Sequence, residues 1–198
     1  MAAPPTETTS SSATPTFVPQ GKHAGKPALP IGRAFTMIGS RSKAHLHLLS
    51  SSVSKAHAVI VNDAGNLYIR DTASREHVIV NGQPLRETNL LHGDQVKIGS
   101  FAFRFVDMTG KSGRVIPDPA PQAALEMDGE ALPILFEGRT LLIGRRPTCD
   151  VLLKEASVSN VHAIIFELNH QHYIRDLGSR TGTFVNGEQI HNQALAFN

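Results

Sequence analysis

Cysteine and tryptophan are almost absent: the 198 residues hold one Cys and no Trp. A lone thiol, Cys149, excludes a disulfide framework and a cysteine-based zinc finger, and it fits a reducing compartment. Aromatic residues make up only 6% of the chain, too few for the stacked platforms that line a single-strand nucleic-acid groove. Charge of one sign is lacking too. There are 19 Lys+Arg against 17 Asp+Glu, a net charge of +2, and no Lys/Arg block accompanies it. Neither nucleic acid nor an anionic membrane is therefore expected as a partner. No apolar run approaches the roughly 18 residues that span a bilayer. The N-terminus lacks the charged start and apolar core of a signal peptide. These absences lead us to expect a soluble, cytoplasmic protein.

What is present is a repeat. Shifted by 105 positions, Ile38–Gly93 lies on Ile143–Asn198 without a gap, and 20 of the 56 positions are identical. An ungapped match of that density marks two tandem domains, since solenoids need three or more shorter units. Ala28-Leu29-Pro30-Ile31 recurs as Ala131-Leu132-Pro133-Ile134. Residues 1–27 are rich in Ser, Thr and Pro and are expected to form a disordered tail. The segment 108–130, with Pro117, Pro119 and Pro121, reads as an extended linker with a short helical piece at Gln122 to Met127. The domains would then occupy 28–107 and 131–198.

Each copy is patterned as short strands. Thr36–Gly39 and Leu141–Gly144, Ala58–Asn62 and Ala163–Glu167, and Leu67–Asp71 and His172–Asp176 are paired β-rich runs. Asn81-Gly82 and Asn186-Gly187 are Asn-Gly pairs, which suit a type I′ hairpin because both central residues need φ > 0. In the first copy Gln95–Ile98 and Phe101–Val106 form a final hairpin with Phe101, Phe103 and Phe105 on one face. No long amphipathic helix is evident. Many short strands at regular spacing indicate an all-β sandwich.

The positions kept between copies are mostly loop polars. The second copy reads Ile143-Gly144-Arg145, then Ser159-Asn160-Val161-His162, then Ser179-Arg180-Thr181-Gly182-Thr183, then Asn186-Gly187; the first adds His92-Gly93-Asp94 and Ile98-Gly99. These blocks, in this order and twice, resemble the forkhead-associated (FHA) domain. The resemblance implies two β-sandwiches of about eleven strands each, whose end loops bind phosphothreonine peptides. A phosphothreonine carries about −1.5 to −2 charge and three acceptor oxygens. A guanidinium fork can meet those oxygens bidentately. No nucleophile–base pair is visible, so recognition without catalysis is expected, with no cofactor and no metal. The implied partners are threonine-phosphorylated proteins or peptides, the products of a Ser/Thr protein kinase. The alternative is a docking or self-association module indifferent to phosphate.

Carried over residue by residue, the resemblance implies phosphate contacts from Arg145 and Ser159, with Asn160 beside them. It implies a peptide-backbone grip from Arg180 and Thr181, where Thr181 replaces the family's usual Asn. His162 and Asn186, with His57 and Asn81 in the first copy, match positions that hold loops together. The first copy departs from the pattern. Ser40 replaces the phosphate-binding Arg, and Arg41 aligns with Arg146, its side chain pointing away from its neighbour's. Glu76-His77 sets a carboxylate where a phosphate must approach. Ser54, Lys55 and Arg75 remain. This copy is therefore expected to pack, dimerise or hold a partner by another face.

Several features take a plainer reading. His45-x-His47 and His170-x-His172 lack a third ligand at suitable spacing and read as polar surface histidines. Tyr68 and Tyr173 read as strand packing, and Cys149 as an ordinary small residue. Glu7-Thr8-Thr9-Ser10 is similar to a motif in the tails of small actinobacterial FHA regulators, where a phosphorylated Thr becomes an internal ligand. That makes Thr8 and Thr9 candidate phosphoacceptors. The second copy stops at Asn198, the counterpart of Gly93, so it is expected to lack its last two strands. Either the chain continues, or another element completes the sandwich, or the second domain is marginally stable.

Overall fold

The computed structural model describes residues 14–110, 124–126, 134–135 and 138–195. The described chain is all-β apart from one 3₁₀ turn, Gly21–His23. The first copy holds eleven strands: β1 Thr16–Pro19, β2 Leu29–Pro30, β3 Phe35–Gly39, β4 Leu46–His47, β5 Ala58–Asp63, β6 Asn66–Asp71, β7 Val78–Val80, β8 Gln83–Leu85, β9 Glu87–Asn89, β10 Gln95–Ile98 and β11 Phe101–Val106. They make two sheets in the orders β2-β1-β11-β10-β7-β8 and β4-β3-β5-β6-β9. The second copy has nine among the described residues: β12 Ala124–Leu125, β13 Ile134–Leu135, β14 Thr140–Gly144, β15 Val151–Leu152, β16 Ala163–Leu168, β17 Gln171–Asp176, β18 Thr183–Val185, β19 Glu188–Ile190 and β20 Asn192–Ala194. Its main sheet runs β15-β14-β16-β17-β20, the counterpart of β4-β3-β5-β6-β9 in the first copy. The pairs β12-β13 and β18-β19 form separate two-stranded sheets. Counterparts of β10 and β11 are absent from the described residues, as the sequence repeat implies.

The Asn-Gly pairs behave as their chemistry requires. Asn81 and Gly82 have φ of 51° and 81°, and Asn186 and Gly187 have 53° and 84°. Each pair turns a two-residue hairpin, β7 into β8 and β18 into β19. Asn is the non-glycine residue that tolerates this region best.

Two expected boundaries move. Thr16–Pro19, read as part of a disordered tail through residue 27, forms β1 between β2 and β11. Phe17 explains it: fully buried, it stacks on Phe103 at 5.2 Å and meets Phe105 edge-on at 6.2 Å. One large aromatic outweighs the Pro/Thr-rich composition around it. Residues 1–13, with Thr8 and Thr9, lie outside the described residues. Within the expected helical piece Gln122 to Met127, Ala124–Leu125 is instead a strand paired with Ile134–Leu135. The rest of that piece except Glu126 lies outside the described residues, as does most of the linker.

Three apolar cores stack along the molecule, and side-chain alternation on six strands explains them. Successive strand residues point to opposite faces. In the first copy Ile38, Ala58, Ile60, Leu67 and Ile69 face inward, onto Phe17, Val80, Val96, Ile98, Phe103 and Phe105. The alternate residues Phe35, Met37, Val59, Val61 and Tyr68 face outward, yet they are buried too. They pack against Leu142, Ile164, Phe166 and Tyr173, the outward residues of β14, β16 and β17. Leu141, Ile143, Ile165 and Ile174 line the second copy's own core. The two sandwiches are thus joined through a third apolar layer between their main sheets. Phe35 packs on Phe166 at 5.0 Å, and the Arg175 guanidinium lies 4.4 Å from the centre of the Phe35 ring.

Polar contacts ring this layer. Arg70 donates to Asp150 at 2.7 Å, and Arg86 also pairs with Asp150. The Tyr68 hydroxyl donates to the Glu167 carbonyl at 2.9 Å. Burial, then the nearby Glu87 carboxylate, push that phenol far above its ordinary pKa. Glu87 accepts from the Arg139 amide at 3.1 Å and from the Thr140 hydroxyl. The contacts are reciprocal at one end. Arg41 donates to the carbonyls of Leu177 and Gly178, while Arg146 donates to that of Ala73, the residue equivalent to Gly178. Equivalent groups swapping roles is the signature of a two-fold-like, isologous interface. The first copy thus packs on the second through the outer face of its β4-β3-β5-β6-β9 sheet.

Candidate functional site

The loops at the strand ends are set by glycine. A Cβ added at Gly144 would sit 2.5 Å from the Asn160 carbonyl oxygen and 3.0 Å from Cys149 Sγ. One added at Gly39 would collide with the Lys55 carbonyl oxygen. Only a residue without a side chain lets the strand-end backbone approach the neighbouring loop so closely. That approach forms a two-bond ladder: Arg145 N–H to Ser159 carbonyl at 3.0 Å and Arg146 N–H to Asn160 carbonyl at 3.2 Å. The first copy repeats it, Ser40 to Ser54 at 3.0 Å and Arg41 to Lys55 at 3.3 Å. The ladder sets Arg145 beside Ser159.

Ser159 Oγ accepts the Arg180 amide at 3.0 Å. Its hydroxyl proton is donated to no described residue. His162 fixes the loop: its Nδ1 accepts from the Ser159 amide at 3.0 Å, and its Nε2 lies 3.1 Å from the Gly182 carbonyl. An acceptor at Nδ1 and a carbonyl at Nε2 require the neutral tautomer protonated at Nε2. His57 repeats both contacts with Ser54 and His77. It is fully buried, and that burial lowers its pKa below 6.5 despite the raising effect of its bond to His77.

The third loop is organised by a carboxylate whose role the sequence reading overlooked. Asp176 accepts from the amides of Gly178 at 2.6 Å and Ser179 at 2.9 Å, and from the hydroxyls of Ser179 and Thr183. Burial alone would raise its pKa, but these donors hold it below the ordinary carboxylate range. Asp71 does the same with Ser74 and the Val78 amide. The signal was available, because Asp71 and Ser74 are identical in the other copy.

Arg180 donates to the Ala156 carbonyl at 2.9 Å and Thr181 to the Ser157 carbonyl at 2.9 Å. Both are exposed, but these hydrogen bonds tie their side chains to the neighbouring loop. Arg145 is exposed, and among the described residues its guanidinium has no hydrogen bond or ion pair. Asn160 is exposed beside it. Asn186 turns its hairpin, whereas Asn81 also donates to Asp94 at 2.8 Å and accepts the Gln95 amide at 2.9 Å.

A family model for the FHA domain matches residues 31–99 and 141–196. The chain belongs to the FHA domain family. Among solved structures, it is similar to Mycobacterium tuberculosis EmbR in complex with a low-affinity phosphopeptide, at 30% identity, TM-score 0.44, over 48% of this chain and 24% of EmbR. It is similar to the FHA domain of CT664 from Chlamydia trachomatis at 22% identity, TM-score 0.45, over 49% of this chain and all of that one. It also resembles the FhaA FHA domain complexed with the intracellular domain of Rv3910, at 23% identity, TM-score 0.43, over 46% of this chain and 99% of that one. The chain thus spans about a quarter of EmbR. No curated protein matches.

Both FHA copies place their loops at the same end of the interface. Ser40, Arg41, Ser54, Lys55 and Arg75 of the first and Arg145, Ser159, Asn160 and Arg180 of the second line one groove of about 790 Å³. Thr181 is outside that lining, as is Glu76. The side chain of Arg41 lies against Gly178 of the second copy. The remaining histidines have local roles. His45 Nδ1 accepts the Met37 amide at 2.9 Å, and its counterpart Asp150 accepts the Leu142 amide at 2.6 Å. His170 is exposed, whereas His172, read as a surface residue, is buried at 7% exposure. The described residues contain no cluster of three or more metal-ligating side chains. Cys149 is buried, and that burial raises its thiol pKa. None of the described helices is long and apolar enough to cross a membrane.

Proposed function

We propose that this FHA chain is a non-catalytic adaptor that binds threonine-phosphorylated proteins through its second copy, in the cytoplasm where Ser/Thr kinases act. The observation that carries this reading is Arg145. Its guanidinium is exposed and uncommitted beside a Ser159 hydroxyl whose proton is free to donate, on loops held by His162 and Asp176. A planar fork and a hydroxyl on rigid loops suit a phosphate's three acceptor oxygens. In the first copy Ser40 stands where Arg145 stands, and its neighbour Arg41 is committed to Leu177 and Gly178. That supports assigning the primary site to the second copy. The family's members are generally non-catalytic, and EmbR was solved with a phosphopeptide bound.

The test is binding of the whole chain to a degenerate peptide pool with one fixed phosphothreonine, against its unphosphorylated twin. The reading expects binding to the first pool and not the second. Equal binding to both would replace it with the phosphate-indifferent docking module.

A further inference from the structure

We infer that the two FHA copies together form one composite anion groove, built for a peptide segment carrying two phosphate groups. This rests on the reading of the second copy as a phosphothreonine site.

The groove between the copies is lined by six cations: Arg41, Lys55 and Arg75 from the first, and Arg145, Arg146 and Arg180 from the second. No Asp or Glu lines it. None of the six forms a salt bridge among the described residues, although Arg70, Arg86 and Arg139 elsewhere in the interface all do. Arg41, Arg146 and Arg180 donate to backbone carbonyls, which orient them without neutralising them. The chain carries only +2 overall, so this concentration of positive charge is local. Like charges gathered without counter-charges repel one another, and a bound anion relieves that repulsion.

One phosphothreonine brings about −1.5 to −2 charge, too little to answer six cations. Two on one peptide bring about −3 to −4. The groove offers two separate docking points. One is Arg145 with Ser159. The other is on the first copy, where Lys55 and Arg75 line the same groove, exposed and free of hydrogen bonds from their side chains to any described residue. There Ser54 Oγ accepts the Arg75 amide at 3.4 Å, a longer version of the 3.0 Å bond from the Arg180 amide to Ser159 Oγ, leaving a second hydroxyl proton for an oxyanion. Ser50, Ser51 and Ser52 line the groove as well. The substitution of Arg by Ser40 removes the primary fork from the first copy. The remaining Lys55 and Arg75 suit a less exacting contact with a second phosphate already delivered by the first. Glu76, whose carboxylate would repel that phosphate, does not line the groove.

The experiment measures binding of the whole chain to three degenerate peptide pools: unphosphorylated, one phosphothreonine, and two phosphothreonines at varied separation. The Lys55→Ala/Arg75→Ala variant is measured alongside; both side chains are exposed, so the fold is not at stake. The second contact becomes intramolecular once the first is made, so the two-phosphate pool should bind at least about 10-fold tighter than the one-phosphate pool. In the variant that ratio should fall to within about 2-fold of unity. If the parent binds both phosphorylated pools equally, the composite groove is refuted while the single-site reading stands. If neither phosphorylated pool binds better than the unphosphorylated one, both fall. A ratio that survives in the variant refutes the assignment to Lys55 and Arg75. A short single-stranded oligonucleotide that binds as tightly as the two-phosphate pool would show a general polyanion surface and also refute it.

Discussion

Replacing Asp150 with alanine should be among the most damaging single changes outside the apolar cores. Asp150 Oδ2 accepts from Arg70 at 2.7 Å and from the Leu142 amide at 2.6 Å, and its other oxygen meets Arg86. The Arg70 side chain is only 5% exposed, and the Asp150 side chain 14%. Removing one member of a buried pair leaves the other charge uncompensated, which costs about 3–5 kcal/mol. The Arg86 contact adds little, because its side chain is 61% exposed and such pairs contribute about 0–1 kcal/mol. Losing the acceptor for the Leu142 amide is part of the same penalty, at about 1 kcal/mol. The expectation is therefore a loss of about 3–5 kcal/mol for Asp150→Ala, and about 1 kcal/mol less for Asp150→Asn, which keeps an oxygen for the amide. Urea unfolding of the whole chain measures it. In an Arg70→Met background the same Asp150→Ala change should cost at least about 1 kcal/mol less, since no buried cation is left unpaired. A loss below about 1 kcal/mol in the parent, or an equal loss in both backgrounds, would refute the claim that this pair joins the copies.

Gly144→Ala should weaken phosphopeptide binding more than it weakens the fold. The new methyl meets the Asn160 carbonyl at 2.5 Å, so the ladder that holds Arg145 beside Ser159 must open; unchanged affinity in a titration would contradict this. Arg41→Ala should destabilise the chain by about 1.5–3 kcal/mol through loss of charge-assisted bonds to Leu177 and Gly178, read by urea unfolding. His57 has a folded pKa below the 6.5 of the free side chain, so the unfolded state takes up its proton first as pH falls. Its contribution is therefore fully present above about pH 6.5 and is lost progressively below it. A stability–pH profile should slope downward there, and His57→Gln should flatten that slope.

Much of this was legible in the residues because it is local. An Asn-Gly pair specifies its own turn, so both hairpins fall where Asn81 and Asn186 place them. The repeat carried the loop geometry as well: the contacts of His57 recur at His162 because the loops around them share their residues. What was not legible depends on contacts between distant segments. Nothing in the Pro/Thr-rich composition around Phe17 marks a strand; only the aromatic itself hints at a place in a core 86 residues downstream at Phe103. The interface between the copies left a subtler trace. Ala58-Val59-Ile60-Val61 and Ala163-Ile164-Ile165-Phe166 are continuous apolar runs, where a sheet with one wet face would alternate. They are continuous because both faces of each sheet are covered. Nothing in the residues around Arg41 marks its partners, the Leu177 and Gly178 carbonyls, because they lie in the other copy.

The central claim is that Arg145 meets phosphate, and titration of the whole chain with a phosphothreonine peptide selected from the pools tests it most directly. Arg145→Ala should lose about 2–4 kcal/mol of affinity, roughly 30- to 1,000-fold, because the charge-assisted pair goes and the phosphate is left under-satisfied. The exposed position of Arg145 means the unfolding midpoint should barely move. Equal affinity of parent and variant for that peptide would contradict the account.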